Sequence, residues 1–381
     1  MSSHDNLTIL LTLKDRVPFT LRWMSYADQA RFPFNVLIAD GGTQEDARAL
    51  LADKNKFPNV NYEYVRFPPD RSYFDYYTKI AQALGQIRTP YVAMADNDDF
   101  FFPATLVESV RFLSAHPDYV SCGGQGAVFW VLPSAPEADA DLLYGKNIHW
   151  KCTRDTDSNE NERAKERVLA QTNNTAGTFF YDVKRIEDAR KQFGLVRDLN
   201  PRDLFLMEHL IRFLTATAGK SKRLNRLHIA RQHNAPQTSA GGHTEKYGDW
   251  FGRMLVETWS NDFSNFLKAV SDSLAQADGI PIEEAKRCVV QAYRILVTPP
   301  LLSNLLDERS ATIPMWTIVP VIRHLVRFRE ASLVRRIARS FFRRVPWISL
   351  EALYGTELIA KQVPNAEKDL SSILEFLKSG Q

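Results

Sequence analysis

Short apolar runs alternate with amphipathic stretches through the first third of the chain. Leu7–Leu13 is a continuous apolar run of strand length, and 18–30 follows with helical spacing, Pro18 suiting a first helical turn. Residues 35–39 form a second apolar run that ends in Asp40-Gly41-Gly42-Thr43, and 44–52 reads as a helix. The Val- and Tyr-containing alternation of 60–67 predicts a third strand, 72–84 a helix, and Tyr91–Ala95 a fourth strand ending in Asp96-Asn97-Asp98-Asp99. Residues 103–116 read as helix, and 119–131 as strand broken by Gly123, Gly124 and Gly126. Strands alternating with helices of this length predict βαβ units: an α/β fold with a mixed, mostly parallel sheet flanked by helices.

The pattern then loosens. Residues 133–141, rich in Pro, Ala and acids, read as a loop, and the charged 153–167 as a loop or an exposed helix. Strand character returns over 175–181. Residues 183–192 and 204–214 read as helices, and 224–233 approaches a strand. The segment 235–248 carries Pro236, Gly241, Gly242 and Gly248 and reads as a loop or a lid that a ligand would order. Beyond it strand signals largely disappear, and 251–277, 283–297, 315–342 and 369–378 read helical. These patterns divide the chain into an α/β domain over 1–245 and an all-helical C-terminal region over 246–381.

Composition narrows the partners. The 381 residues are 44% hydrophobic and 24% charged, enough apolar material for a sizeable core, which excludes a disordered or fibrous protein. The net charge of +3, from 48 basic and 45 acidic residues, lacks the basic excess of a nucleic-acid binder, so no nucleic acid is expected. Cys122, Cys152 and Cys288 form no CxxC pair, which excludes a zinc ribbon or disulfide scaffold and suits a reducing cytoplasm. No run approaches the ~18–20 apolar residues of a membrane span. Leu7–Leu13 lacks a basic n-region and is followed at once by Lys14-Asp15-Arg16, unlike a signal peptide.

In open α/β sheets, ligands bind beyond the carboxyl ends of the strands. Three such ends carry polar clusters here: Lys14-Asp15-Arg16, Asp40-Gly41-Gly42 and Asp96-Asn97-Asp98-Asp99. No GxGxxG and no GxxxxGK[ST] occurs, which argues against a dinucleotide fold and a P-loop. The DxD spacing occurs three times, but only Asp96/Asp98 follows an apolar strand; Asp139/Asp141 and Asp155/Asp157 lie in polar segments. Crowded carboxylates at a strand end repel one another unless a cation or hydrogen-bond donors offset them. Mg²⁺ or Mn²⁺ suits that need, bridging carboxylates to phosphates. The alternative is a cap cluster for the following helix.

With these motifs in order, residues 5–240 resemble family 2-like glycosyltransferases of the GT-A fold. Lys14-Asp15-Arg16 is similar to that family's opening polar turn, Asp40-Gly41-Gly42-Thr43 to its Asp-Gly-Ser/Thr signature, and the strand ending at Asp96 to its metal-binding strand. The resemblance implies that Asp40 contacts the nucleobase, that Asp96 lies near ribose or metal, and that Asp98 binds the bridging metal. It implies Lys14, Arg16, Lys79 and Arg231 as donor contacts, although Lys79 also reads as an exposed helix lysine. His233, on the same strand face as Arg231, is implied as a further metal ligand. Asp99 reads as a supporting group or a helix cap. For the catalytic base, Asp203 in Asn200-Pro201-Arg202-Asp203 stands first and Glu208 second, with Asp188 a third option and a helix cap the alternative for Asp203.

One further segment stands out. Residues 323–344 hold eight arginines against Glu330, interleaved with Leu, Val, Ile and Phe. Such a stretch suits the inner face of an anionic membrane, with peripheral rather than spanning attachment. A packing helix or an oligomer contact is the alternative. The expected activity is metal-dependent transfer of a sugar from a UDP-, GDP- or dTDP-linked donor to the hydroxyl of a saccharide or lipid-linked saccharide, with inversion. Bacterial surface-polysaccharide or glycolipid synthesis is the implied setting. A nucleotidyltransferase and an inactive nucleotide-sugar-binding scaffold are the alternatives, but the first loop has no glycine and the acidic cluster is intact.

Overall fold

The computed structural model describes residues 6–132, 142–153, 157–170, 177–307 and 363–380. The N-terminal half alternates as its pattern predicts: β1 (Leu7–Leu13), α1 (Val17–Gln29), β2 (Asn35–Asp40), α2 (Glu45–Ala52), β3 (Asn61–Arg66), α3 (Tyr73–Gln86) and β4 (Tyr91–Ala95). These four strands are parallel, in the order β3-β2-β1-β4. The register pairs Leu13 with Asp40 and Leu11 with Ala95, so the polar ends of β1, β2 and β4 fall on one edge. β1, β2 and β4 are buried on both faces, which is why they read as unbroken apolar runs, whereas the edge strand β3 alternates.

The sheet continues as a mixed one. β5 (Phe100–Phe101), α4 (Pro103–Ala115), β6 (Tyr119–Leu132), β7 (Asn147–Thr153), α5 (Ala164–Ala170), β8 (Val183–Arg185), α6 (Ile186–Leu199), α7 (Leu204–Ala218) and β9 (Lys220–Gln232) complete it. The full order is β3-β2-β1-β4-β8-β6-β9-β5, with β7 beside β6. β4, β6 and β7 meet their β8 or β6 neighbours antiparallel, whereas β6 and β9 run parallel from Tyr119 to Phe129 with shifts in register.

Several expectations are corrected. β6 is one continuous strand through its glycines, although its register with β9 shifts between Gly123 and Gly126. A Cβ on Gly123 would lie 2.0 Å from Asp182 Oδ1, and one on Gly124 2.3 Å from the Arg226 carbonyl, so these glycines admit close neighbours instead of breaking the strand. Strand character expected over 175–181 is a 3-10 turn, Gly177–Tyr181, and the strand comes next, at the start of the stretch read as helix. Val183 and Lys184 are buried in the gap between β4 and β6, where pairing overrides helical spacing. Of the segment read as a loop or an exposed helix, 157–163 is loop, and α5, which starts at Ala164, buries Arg167 and Val168.

The segment read as a loop or lid holds a helix, α8 (Ser239–Tyr247). Thr238 caps it by accepting from Gly241 N, and His243 is buried beneath it. The glycine pair weakens helix propensity by about 1 kcal/mol each, and that loss hid the helix from the sequence. Then come α9 (Trp250–Met254), α10 (Trp259–Asp278), α11 (Ile282–Asp307) and α12 (Ala366–Ser379). Phe266, Val270 and Leu274 of α10 and Val289 and Ala292 of α11 belong to the same apolar cluster as β1 and α7. α12 returns to the far end of the sheet, where Leu370, Ile373 and Phe376 join Phe100, Phe129 and Val131 in a second cluster. Residues 315–342, read as helical, lie outside the described residues.

Candidate active site

At the end of β1 the chain makes a tight turn with two successive non-glycine residues in the left-handed region, Asp15 at φ 54° and Arg16 at φ 53°. That conformation is costly for residues carrying a Cβ and needs support from its surroundings. Asp15 supplies it by reaching across to the end of β2, where its Oδ1 accepts from Thr43 N at 2.7 Å and Gln44 N at 3.3 Å. Gly41 and Gly42 allow this closeness: added Cβ atoms would fall 2.4 Å from Asp70 and 2.6 Å from Asp15 N. Lys14 is exposed beside them.

Asp40 is fully buried. Its Oδ1 accepts from Gly42 N at 2.7 Å, and its Oδ2 accepts from Arg66 Nη1 at 2.6 Å and from the Tyr64 hydroxyl. Burial, followed by that hydrogen bond, pushes the Tyr64 hydroxyl up to about 12. Lys79 is not an exposed helix lysine: it is 2% exposed, ion-paired with Asp70 and bonded to the Leu13 carbonyl at 3.0 Å. It braces the turn from below and does not reach the open edge.

The loop after β4 holds the carboxylates. One oxygen from each of Asp96, Asp98 and Asp99 lies within 4.8 Å of the others. Their partners are two arginines, a hydroxyl and a backbone amide: Asp96 Oδ2 accepts from the Tyr181 hydroxyl at 2.6 Å, Asp98 Oδ2 from Arg16 Nη2 at 3.1 Å, and Asp99 from Arg231 Nε at 3.0 Å and Gln232 N at 3.1 Å. Pairing of β5 with β9, Phe100 opposite Ala230, fixes Asp99 against Arg231. Burial, with Asp98 and Asp96 nearby, pushes Asp99 up to about 8 although Arg231 pulls it down. Burial and then Asp98 raise Asp96 too. Three carboxylates offering only oxygen and held this close fit a hard divalent cation.

Beneath the loop lies Arg22, 1% exposed. Its guanidinium donates to the Leu143 carbonyl at 2.7 Å, Gln232 Oε1 at 2.8 Å and the Asp98 carbonyl at 3.2 Å, and burial lowers it to about 10. Arg22, Tyr181 and the Arg66–Tyr64 pair carry no functional signal in the sequence. Arg22 sits at an ordinary amphipathic position of α1, and Tyr181 precedes an unrecognised strand, so only the tertiary fold reveals them.

The two leading base candidates lie at the cap and in the second turn of α7 and differ sharply. Asp203 is the N-cap, 8% exposed; Oδ1 accepts from Leu206 N at 2.8 Å and Arg253 Nη1 at 3.4 Å, and Oδ2 lies 3.3 Å from His243 Nε2. Burial raises its carboxyl, but His243, Arg253 and the Leu206 amide outweigh that and hold it below the usual range. Glu208 is partly exposed, and no described residue donates a hydrogen bond to it. Burial pushes it up to about 7, with Arg231 and Arg253 opposing and Asp96 and Asp203 assisting. Asp188 lies elsewhere: it follows β8, which pairs with the opposite end of β4 from Asp96.

His233 stands apart from the three carboxylates. It follows the last residue of β9, is exposed, and lays its ring 5.0 Å from that of Trp130. Arg231, two residues earlier, does reach the cluster, and its guanidinium covers the Tyr181 ring at 4.9 Å.

No protein-family model and no curated protein matches this chain. Among solved structures, residues 1–349 of S. aureus TarS are similar over 99% of this chain and 92% of that one, at 10% identity and a TM-score of 0.44. The UDP-GlcNAc complex of the same protein gives 12% identity and a TM-score of 0.44. A mannosyltransferase from Pyrobaculum calidifontis, solved with GDP-Man and Mn²⁺, is similar over 80% of this chain and 88% of that one, at 12% identity and a TM-score of 0.38. At this level of likeness, function has to be read from the site itself.

Proposed function

We propose that this protein is a metal-dependent glycosyltransferase of the GT-A type that uses a nucleotide-sugar donor. The observation that carries the reading is the Asp96/Asp98/Asp99 group at the sheet edge, with Glu208, to which no described residue donates a hydrogen bond, near enough to be raised by Asp96. Asp96, Asp98 and Asp99 would hold a divalent ion, Mn²⁺ or Mg²⁺, which when bound neutralises the diphosphate leaving group. In this reading Arg16 and Arg231 face the diphosphate, and Lys14 stands at the rim. Asp40, carrying Arg66 with it, meets the base of a UDP-, GDP- or dTDP-linked donor.

Glu208, not Asp203, is the base in this reading. A base near neutrality is deprotonated often enough to act yet basic enough to accept a proton. Asp203 is deprotonated but, buried as the helix cap and held acidic, it is a poor proton acceptor, and we assign it to fixing α7. Glu208 would take the proton of the acceptor hydroxyl as its oxygen bonds to the anomeric carbon. The bond from that carbon to the diphosphate oxygen breaks, its electron pair leaving with the nucleotide. A single displacement of this kind inverts the anomeric centre.

The acceptor is proposed to be a saccharide or a lipid-linked saccharide in bacterial surface-polysaccharide or glycolipid synthesis. The arginine-rich 323–344 would hold residues 246–381, the helical region, to the inner face of an anionic membrane from the cytoplasm. The test is nucleoside diphosphate release from a panel of UDP-, GDP- and dTDP-sugars, with Mn²⁺ and after chelation. Release from one donor class, lost on chelation and restored by metal, is the expected result. No release from any donor, with or without an acceptor mixture, would overturn the reading.

A further inference from the structure

Two of the three arginines at the acidic loop differ from the third in a way that bears on how ligands enter. Arg22 is locked: three acceptors hold it, and the rings of Phe19 and Phe100 lie 4.7 and 5.0 Å from its guanidinium carbon. Arg16 is held loosely. Among the described residues its guanidinium makes one side-chain hydrogen bond, to Asp98 Oδ2, and its buried Nε has no acceptor. It rests on the Phe19 ring at 4.3 Å, a face it can slide along without losing contact, and its side chain is 14% exposed at the open edge. Arg231 is the other outward cation, 40% exposed, bonded through Nε to Asp99 Oδ2 at 3.0 Å. Both arginines thus occupy carboxylate oxygens that a divalent ion would need.

We propose that Arg16 is an exchangeable counter-ion: it neutralises Asp98 while the site is empty and moves to the donor's diphosphate when metal takes Asp98, so that metal and nucleotide bind cooperatively. This rests on the metal-dependent reading above. Metal alone must strip Arg16 from Asp98 and leave its guanidinium beside a cation. Nucleotide alone must approach carboxylates whose arginine is still engaged. Together, metal replaces the guanidinium on Asp98 and the diphosphate receives the freed guanidinium bidentately, a geometry that suits arginine better than lysine. Each ligand removes the cost the other would meet, and linkage makes the coupling reciprocal. The left-handed turn braced by Asp15 on the Thr43 and Gln44 amides keeps Arg16 within reach of both partners.

The experiment is calorimetric titration of the full chain with Mn²⁺ alone, with UDP and GDP alone, and with each in the presence of the other, for wild type, Arg16→Gln and Arg16→Lys. In wild type, Mn²⁺ should bind about tenfold or more tighter once the preferred diphosphate is present, and the diphosphate should gain by the same factor. Arg16→Gln should bind Mn²⁺ alone several-fold tighter than wild type, bind the diphosphate more weakly and lose most of the coupling. Arg16→Lys should fall between them. If Arg16→Gln does not fold, as judged by its melting transition, Arg231→Gln should likewise tighten Mn²⁺ binding by freeing Asp99. Equal Mn²⁺ affinity with and without diphosphate in wild type, or Mn²⁺ affinity unchanged by these substitutions, would overturn the exchange while leaving the glycosyltransferase reading intact. Failure of wild type to bind any diphosphate with metal would instead overturn the underlying reading and the exchange with it.

Discussion

At the scale of single residues, the account separates two carboxylates that the sequence could not rank. Glu208→Gln should lower turnover by about 10²-fold or more, because a positioned general base contributes roughly that much. Asp203→Asn, which keeps a capping side chain, should retain most turnover, measured as nucleoside diphosphate release. The two also differ in sign against pH. Glu208 is raised from 4.5 to about 7 on folding, so its contribution to stability is present below 4.5 and is lost as pH rises through about 7. Glu208→Gln should therefore gain stability relative to wild type above that pH, by about 2 kcal/mol at most, read from urea midpoints at pH 5 and pH 8.5. Asp203 is lowered, so its contribution is present above 3.8 and is lost as pH falls. In activity, kcat/KM should rise with pH through an apparent value at or below about 7, since bound metal favours the ionised carboxyl of Glu208. The sequence showed a carboxylate at each position. It could not show that His243 and Arg253, 40 and 50 residues downstream, fold onto Asp203 and leave Glu208 unengaged.

At the scale of elements, legibility followed burial. β1, β2 and β4 are unbroken apolar runs because both faces are covered, and their polar ends marked the site edge directly. β8 is three residues long with two basic side chains, and nothing in its own sequence distinguishes it from the helix that follows. α8 was hidden by Gly241 and Gly242, whereas its anchor is tertiary: His243 Nδ1 lies 3.0 Å from the Tyr73 hydroxyl and Nε2 faces Asp203. These two contacts tie the segment to α3 and to the start of α7. His243→Ala should cost about 1–3 kcal/mol by leaving buried polar partners unpaired, and hydrogen exchange at 239–247 should speed up relative to wild type. If the wild-type segment exchanges as fast as the variant, the anchor does not hold. The Asp-Gly-Gly step makes a separate demand. Gly41→Ala would drive a methyl into the Asp70 carboxylate that pairs Lys79, and should destabilise by about 1–3 kcal/mol in denaturant titration.

At the scale of the whole molecule, the helical C-terminal elements and the sheet are knit together. α10 and α11 share the core of α7, and α12 crosses back to pack on Phe100 and Phe129, immediately behind the acidic loop. Destabilising α12 with Phe376→Ala, a loss of about 3–5 kcal/mol for a buried phenylalanine, should also weaken nucleotide binding, because Phe100 follows Asp99 directly. No helix among the described residues is long and apolar enough to cross a membrane. The eight arginines of 323–344, in a chain of net charge +3, lie outside those residues, and their proposed role predicts salt-reversible co-sedimentation with anionic but not neutral vesicles. Underneath all of this is the claim that the three carboxylates after β4 bind a nucleoside diphosphate through a divalent ion. The most direct test is calorimetric titration of wild type and Asp98→Asn with UDP, GDP and dTDP in the presence of Mn²⁺. Wild type should bind one of them with an affinity that disappears on chelation, and Asp98→Asn should show no metal-dependent binding while melting as wild type does. Equal metal-dependent affinity in the two proteins would contradict the account.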